Sequence, residues 1–141
     1  MKGSHHSIWR LSRARSGFRK TSKRRSVVTG KVDDFNKFRD EMNRKILENE
    51  NLVIRRFFNL DGMTYKEGVL TGKTKEMLGL VASMVLRCDD CIRYHLQQCK
   101  HEGVTRDEFF EVFSVALVVG GSIVIPHLRR AVDFLEELEA A

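Results

Sequence analysis

The stretch KTKEMLGLVASMVLRCDDCIRYH, residues 73–95, carries no charge between Met77 and Leu86. A helix that is apolar on every face belongs at the centre of a protein, with other helices around it. The chain then turns polar at Cys88 and Asp89, and a second amphipathic run begins through Ile92 and Leu96 to Cys99. A central helix followed at once by an amphipathic one sets the class as all-α, and the flanking segments fit it.

Upstream, DDFNKFRDEMNRKILEN (33–49) places Phe35, Phe38, Met42 and Ile46 at spacings of three and four behind two acids that suit a helix start. LVIRRFFNLDG (52–62) continues helically towards a turn signal at Asp61-Gly62. Downstream, CDDCIRYHLQQCKHEG (88–103) ends on Gly103, a suitable C′ residue after Lys100 and His101. TRDE (105–108) is a capping box opening a helix through Phe109, Phe113, Ala116 and Leu117 to Gly120-Gly121. Those glycines serve close packing or a break. A last helix follows Ser122, with Pro126, the sole proline, in or just after its first turn. With no hairpin signal and no internal repeat, residues 32–141 form one compact helical bundle.

Residues 1–31 differ. They hold ten Lys or Arg and no acid, whereas the remaining residues carry a net charge of −4. Without an apolar period the segment reads as a flexible basic arm. Its opening MKGSHH resembles an expression-tag remnant, and its Arg- and Ser-rich, acid-free character also fits a mitochondrial transit peptide. A basic arm of this kind is also suited to nucleic acid, with Trp9 and Phe18 available to stack on bases. No run approaches the roughly 18–20 apolar residues of a membrane span, so a soluble protein without membrane contact is expected.

The three cysteines are a poor disulfide framework, and the C-x-x-C at Cys88 and Cys91 points to a thiol motif in a reducing compartment, most simply the cytoplasm. With a helix starting near Cys88, Cys88, Cys91 and His95 fall within an arc of about 60°, facing inward, while Asp89, Asp90 and Arg93 point elsewhere. Helix-start amides and the helix dipole favour thiolate there. The two Cα atoms can come within bridging distance, and His95 can exchange a thiol proton. Cys99, about 12 Å further along the axis, is a buried small hydrophobe.

Other readings compete on residues alone. Two cysteines and a satisfied histidine can simply fill a core. Zinc could use Cys88, Cys91, His95 and Cys99 or His101, but zinc ligands usually come in pairs from separate elements, and these share one helix. A thioredoxin-like module requires a βαβ pattern that is absent. Glu76, at the mouth of the buried helix, is placed for the helix dipole, and its desolvation also suits it to proton exchange. Ser83 and His127 are candidate pocket residues, His127 being more readily structural.

At this point EMLGLVASMVLRCDDCIRYH (76–95) resembles the signature of the alkylhydroperoxidase AhpD-like and carboxymuconolactone decarboxylase family, in its C-x-x-C redox branch. Glu76, Cys88, Cys91 and His95 match in register, and the similarity extends from about Phe35 to Leu138. The resemblance implies an AhpD-like helical bundle in trimers or hexamers and a cofactor-free, metal-free thiol peroxidase or disulfide reductase. In it Cys91 attacks a hydroperoxide, Cys88 resolves the sulfenic acid, Glu76 and His95 relay protons, and a dithiol or thioredoxin-like partner restores the thiols. The sequence departs from AhpD at Asp90, where AhpD has histidine; a carboxylate there cannot be a cationic proton donor. Two other functions stand beside this one: a carboxymuconolactone decarboxylase-like enzyme, and an oligomeric helical scaffold whose basic arm binds nucleic acid.

Overall fold

The structure, a computed structural model, describes residues 30–140. Six helices follow one another: α1 (Lys31–Glu48), α2 (Leu52–Thr64), α3 (Gly72–Val85), α4 (Asp89–His101), α5 (Arg106–Gly120) and α6 (Ile125–Ala140). A short 3-10 turn, Ser122–Val124, leads into α6. Among the described residues there is no strand, and no helix is long and apolar enough to cross a membrane. The expected arm lies outside the described residues apart from Gly30 and Lys31, as do Trp9 and Phe18. Lys31 already belongs to α1, where its Nζ pairs with Asp133 of α6 at 2.6 Å and the Val32 amide donates to Glu137 Oε1 at 3.0 Å.

Helix α3 packs against α4 and α5, and α6 closes the bundle over α4 and α1. Leu80 and Met84 of α3, Ile92 and Leu96 of α4, Phe109 and Phe113 of α5 and Phe134 and Leu135 of α6 make the core. From α1 only Phe35 is buried in it, edge-on to Phe134 at 5.9 Å between ring centres, with Val32, partly buried, packed against the core. The rest of the expected α1 stripe is not: Phe38 and Ile46 are exposed. They lie on a helix whose second half runs out alongside α2, which has no buried residue at all.

Two expectations are corrected. Asp61-Gly62 does not stop α2, which continues to Thr64. Lys75 of α3 donates to the carbonyls of Thr64 and Lys66 at 2.9 and 2.6 Å, so these terminal acceptors find a partner beyond the turn signal. Nor is α3 covered on every side: Leu78 and Leu86 are 57% and 75% exposed. Its apolarity is spent partly on the core and partly on an open groove where Met77, Leu78 and Val81 face Val112 and Val115 of α5.

The connections that set the site are short and specified. Thr105 and Glu108 form the predicted capping box, with bonds of 3.3 and 2.8 Å. Gly103, at φ 76°, ends α4 with its amide on Lys100 and the Val104 amide on Cys99, the paired bonds of a Schellman motif. The α3–α4 junction makes the same motif around Arg87. The Arg87 amide bonds the Met84 carbonyl, the Cys88 amide bonds that of Ser83, and Arg87 takes a left-handed φ of 60°. A non-glycine residue there costs about 1–3 kcal/mol. The turn accepts this cost and places Cys88 directly at the start of α4.

Candidate active site

Cys88 is the N-cap of α4, with extended backbone, and its Sγ accepts the Cys91 amide at 3.3 Å. The Cα atoms of Cys88 and Cys91 are 5.3 Å apart and the two are bridged. That is the spacing a disulfide requires. One turn further, His95 is buried, and its Nδ1–H donates to Glu76 Oε2 at 2.7 Å. Glu76 is itself only 5% exposed, so this is a buried, hydrogen-bonded acid–imidazole pair joining α3 to α4. With Nδ1 committed to the carboxylate, Nε2 is the nitrogen left to exchange protons.

Gly79 makes the pair possible. It lies one turn after Glu76 on α3, and a Cβ built on it would sit 2.5 Å from His95 Cε1 and 2.9 Å from each ring nitrogen. Only a glycine lets the imidazole edge lie against the α3 backbone. Tyr65 and Tyr94 flank the ring, each with its centre 5.2 Å from that of His95.

A cavity of about 190 Å³ opens beside Cys91 and His95, walled by Phe35, Arg39, Asp61, Asp90 and Tyr94. The Arg39 guanidinium lies 3.8 Å over the Tyr94 ring. Here the expected orientation is corrected: the thiols do not face inward, since Cys91 is exposed and Cys88 half-buried, and only His95 is buried. Cys88 is a cap rather than a helical residue, so the helical phase that would turn both sulfurs to the core does not apply to it. Asp90, expected to point elsewhere, lines the Cys91 cavity, with Arg93 3.9 Å from its carboxylate.

His127 is not among the residues lining that cavity. Its Nδ1 meets Asp89 Oδ1 at 2.7 Å, and Arg130 Nε meets Asp89 Oδ2 at 2.9 Å, which pins the first turn of α4 to α6. Burial pushes the Asp89 carboxyl up, but hydrogen bonds from His127 and then Arg130 outweigh it and hold the carboxyl below its usual range. Ser83 is buried in α3 and lines neither the Cys91 cavity nor the one beside Glu76; its carbonyl receives the Cys88 amide at 3.0 Å. The proposed zinc ligands are dispersed: His95 is engaged by Glu76, Cys99 is fully buried, and His101 is exposed beside Glu102.

Burial, followed by the charges of Glu76 and Glu102, pushes the Cys99 thiol up to about 12. At pH 8 it is a thiol and out of reach of reagents. Native, fully reduced protein is therefore expected to react with two equivalents of a thiol reagent, the third appearing only on denaturation. Three equivalents from the native protein would contradict this.

Gly79, Tyr65, Tyr94, Arg39 and Asp61 are site residues that sequence reasoning did not single out. For Gly79 a signal existed: it is three residues from Glu76 on a helix that must pack closely. For Arg39 and Asp61 none did, because their place depends on how α1 and α2 dock.

Comparison with known proteins gives the family and supports the fold. The profile of the Carboxymuconolactone decarboxylase family matches residues 52–134. The chain is 60% identical to a Thermotoga maritima carboxymuconolactone decarboxylase family protein, TM1620, described with a suggested involvement in antioxidative response. That structure superposes with a TM-score of 0.73, covering 76% of this chain and 91% of the other. It is 25% identical to apo-lpg0406, a protein of the same family from Legionella pneumophila, with a TM-score of 0.71 over 77% of this chain and 97% of that one. An uncharacterized protein in the cox locus of Paracoccus denitrificans is 26% identical over 85 residues, 60% of this chain and 77% of that protein.

Proposed function

This chain belongs to the carboxymuconolactone decarboxylase family, and we propose that it is a cofactor-free thiol peroxidase and disulfide reductase acting on small hydroperoxides. One observation carries the reading: Cys91 opens onto a cavity it shares with His95, Cys88 stands at bridging distance, and His95 is tied to buried Glu76.

Cys91 is the more accessible sulfur and lies beside the imidazole, so it takes the attacking role. His95 receives the Cys91 proton, and the helix start stabilises the thiolate. The thiolate attacks the terminal oxygen of the hydroperoxide, the O–O bond breaks, and the departing alkoxide takes a proton back to leave as an alcohol. Cys91 is now a sulfenic acid. Cys88 attacks its sulfur, water leaves, and the disulfide forms. A dithiol, small or carried by a thioredoxin-like protein, reduces it by exchange. Phe35 and Tyr94 give the cavity an apolar wall, and its volume suits a short organic hydroperoxide.

The direct test is multiple turnover of an organic hydroperoxide with dithiothreitol in the presence of a metal chelator. Dithiol loss no faster than without protein would overturn the proposal. Decarboxylation of a carboxylated lactone by the Cys88→Ser/Cys91→Ser double variant would move the site to the other chemistry of the family, which needs no thiol pair.

The proposal extends to a homo-oligomer, a trimer or hexamer. Leu52, Val53, Phe57, Leu60 and Met63 of α2 are all exposed, and Leu78, Val115 and Val118 add an apolar face on α3 and α5. A helix with no fully buried residue in its own chain gains part of its stability elsewhere. Light scattering after size exclusion is expected to give a multiple of 16.3 kDa, with Phe57→Glu lowering the mass. Elution of the unaltered protein as a single chain contradicts the oligomer.

A further inference from the structure

The Glu76–His95 pair lies between two cavities. His95 lines the one that holds Cys91, while Glu76 lines a second of about 320 Å³. Gly62 and Tyr65 from the end of α2, Gln98 and Glu102 from α4 and Tyr94 share that second lining. Tyr94 walls both cavities; Cys91 lines only the first, and Glu76 only the second. The two carry different chemistry. Both hold carboxylates, but the Cys91 cavity adds Phe35 and a guanidinium lying on a ring, whereas the second adds Lys66, the Gln98 amide and the Tyr65 phenol and has no aliphatic or phenyl wall.

Resting on the peroxidase reading, we propose that the second cavity is the proton port of the site: the relay exchanges protons with water behind Glu76, on the side away from the substrate. When the Cys91 thiol ionises, its proton goes to His95 Nε2, the Nδ1 proton passes to Glu76, and Glu76 releases a proton to water in the rear cavity. When the O–O bond breaks, one proton returns along the same atoms to the alkoxide, so no net proton is consumed by the pair of steps. The later loss of water takes its proton from the Cys88 thiol. The front cavity can therefore close around a hydroperoxide, excluding water, while the relay stays in equilibrium with solvent.

Two observations support this arrangement. Glu76 and His95 are both buried and 2.7 Å apart, so a proton passes between them without an intervening solvent molecule. Tyr65, at the edge of both the imidazole and the rear cavity, has its hydroxyl pushed above the usual range by burial and then by the Glu76 charge. It stays protonated and leaves Glu76 as the exchanging group.

Gly62 provides the test. It lines the rear cavity but not the front one, and a Cβ built on it meets no atom within 4 Å. Gly62→Leu adds an apolar side chain, without a clash at Cβ, at the α2 edge of the port, where leucine favours the helix by about 1 kcal/mol. Gln98→Leu is the second variant, should the first unfold on thermal melting. The readout is solvent exchange of the His95 Nδ1 proton by NMR, which does not depend on turnover. Reduced protein with Cys91 and Cys88 both blocked by iodoacetamide should exchange within about twofold of the unblocked rate, and Gly62→Leu should slow exchange by about tenfold or more. In turnover, Gly62→Leu should lower kcat by about tenfold and enlarge the solvent deuterium isotope effect, leaving KM for the hydroperoxide unchanged.

Slowing on blockage of Cys91 and Cys88, or unchanged exchange in both Gly62→Leu and Gln98→Leu, overturns the rear port. Absence of hydroperoxide turnover in the unaltered protein instead removes the peroxidase reading, and the exchange rates then judge the route by themselves.

Discussion

Cys91→Ser protein is expected to lose hydroperoxide turnover by at least about a thousandfold, and Cys88→Ser protein to lose repeated turnover while still consuming close to one equivalent of hydroperoxide. The asymmetry follows from position. Cys91 opens to the cavity that also holds His95, so its removal takes away the nucleophile. Cys88 is the cap of α4, bonded to the Cys91 amide at 3.3 Å, and its removal leaves the nucleophile in place without a resolving partner. The sulfenic acid then persists and can be trapped by a carbonyl nucleophile such as dimedone. Serine keeps the cap, because a hydroxyl accepts the same amide bond, so the change reads on chemistry rather than on helix stability. Single-equivalent consumption by Cys91→Ser instead of Cys88→Ser would exchange the two roles. Full turnover in either variant would remove the thiol pair from the reaction.

The second large effect comes from a residue with no functional group. Gly79→Ala is expected to lower kcat/KM by about a hundredfold, the contribution of a positioned acid–base group. A methyl group 2.5 Å from His95 Cε1 forces the ring to move, and the 2.7 Å bond to Glu76 cannot survive that displacement within a packed helix pair. Overpacking of this kind costs about 1–3 kcal/mol, so the melting temperature falls too. The distinguishing readout is the pH–rate profile. Loss of the relay makes the rate follow the intrinsic ionisation of the thiol and climb towards higher pH, which a purely global destabilisation does not produce. A variant with the kcat/KM and pH profile of the unaltered protein would show that the imidazole has room to shift without consequence.

How much of this was readable in the sequence depended on range. The capping box at Thr105–Glu108, the Gly103 stop and the C-x-x-C at the mouth of α4 are local features, and each stands where residue spacing placed it. Cys99 as a core residue followed from its distance along one helix. Most of the departures involve a second element. Phe38 and Ile46 carry the right period but have no partner layer within this chain. Asp61-Gly62 has the composition of a turn, yet Lys75, thirteen positions beyond Gly62, receives the end of the helix. His127 was placed near the site by its position after Pro126, but Asp89 and Arg130 decide where its ring goes. For Cys88 the inward expectation failed for a local reason: the left-handed Arg87 brings it in as a cap, and a cap does not share the helical phase of the residues after it.

Family membership carries the fold; the proposed redox assignment rests on the arrangement of Cys88, Cys91, His95 and Glu76. Asp90 is the point at which the sequence departs from the AhpD-like signature that it resembles. Its carboxylate lines the Cys91 cavity, and Arg93 stands 3.9 Å away to offset the charge that would otherwise oppose thiolate formation. A carboxylate there donates no proton at neutral pH, which leaves proton transfer to His95 and Glu76.

The most direct measurement is the thiol content of freshly reduced protein, counted after denaturation, before and after one equivalent of organic hydroperoxide. The account predicts a fall from three thiols per chain to one, the survivor being Cys99 and the lost pair a Cys88–Cys91 disulfide. Three thiols remaining after the hydroperoxide would contradict it.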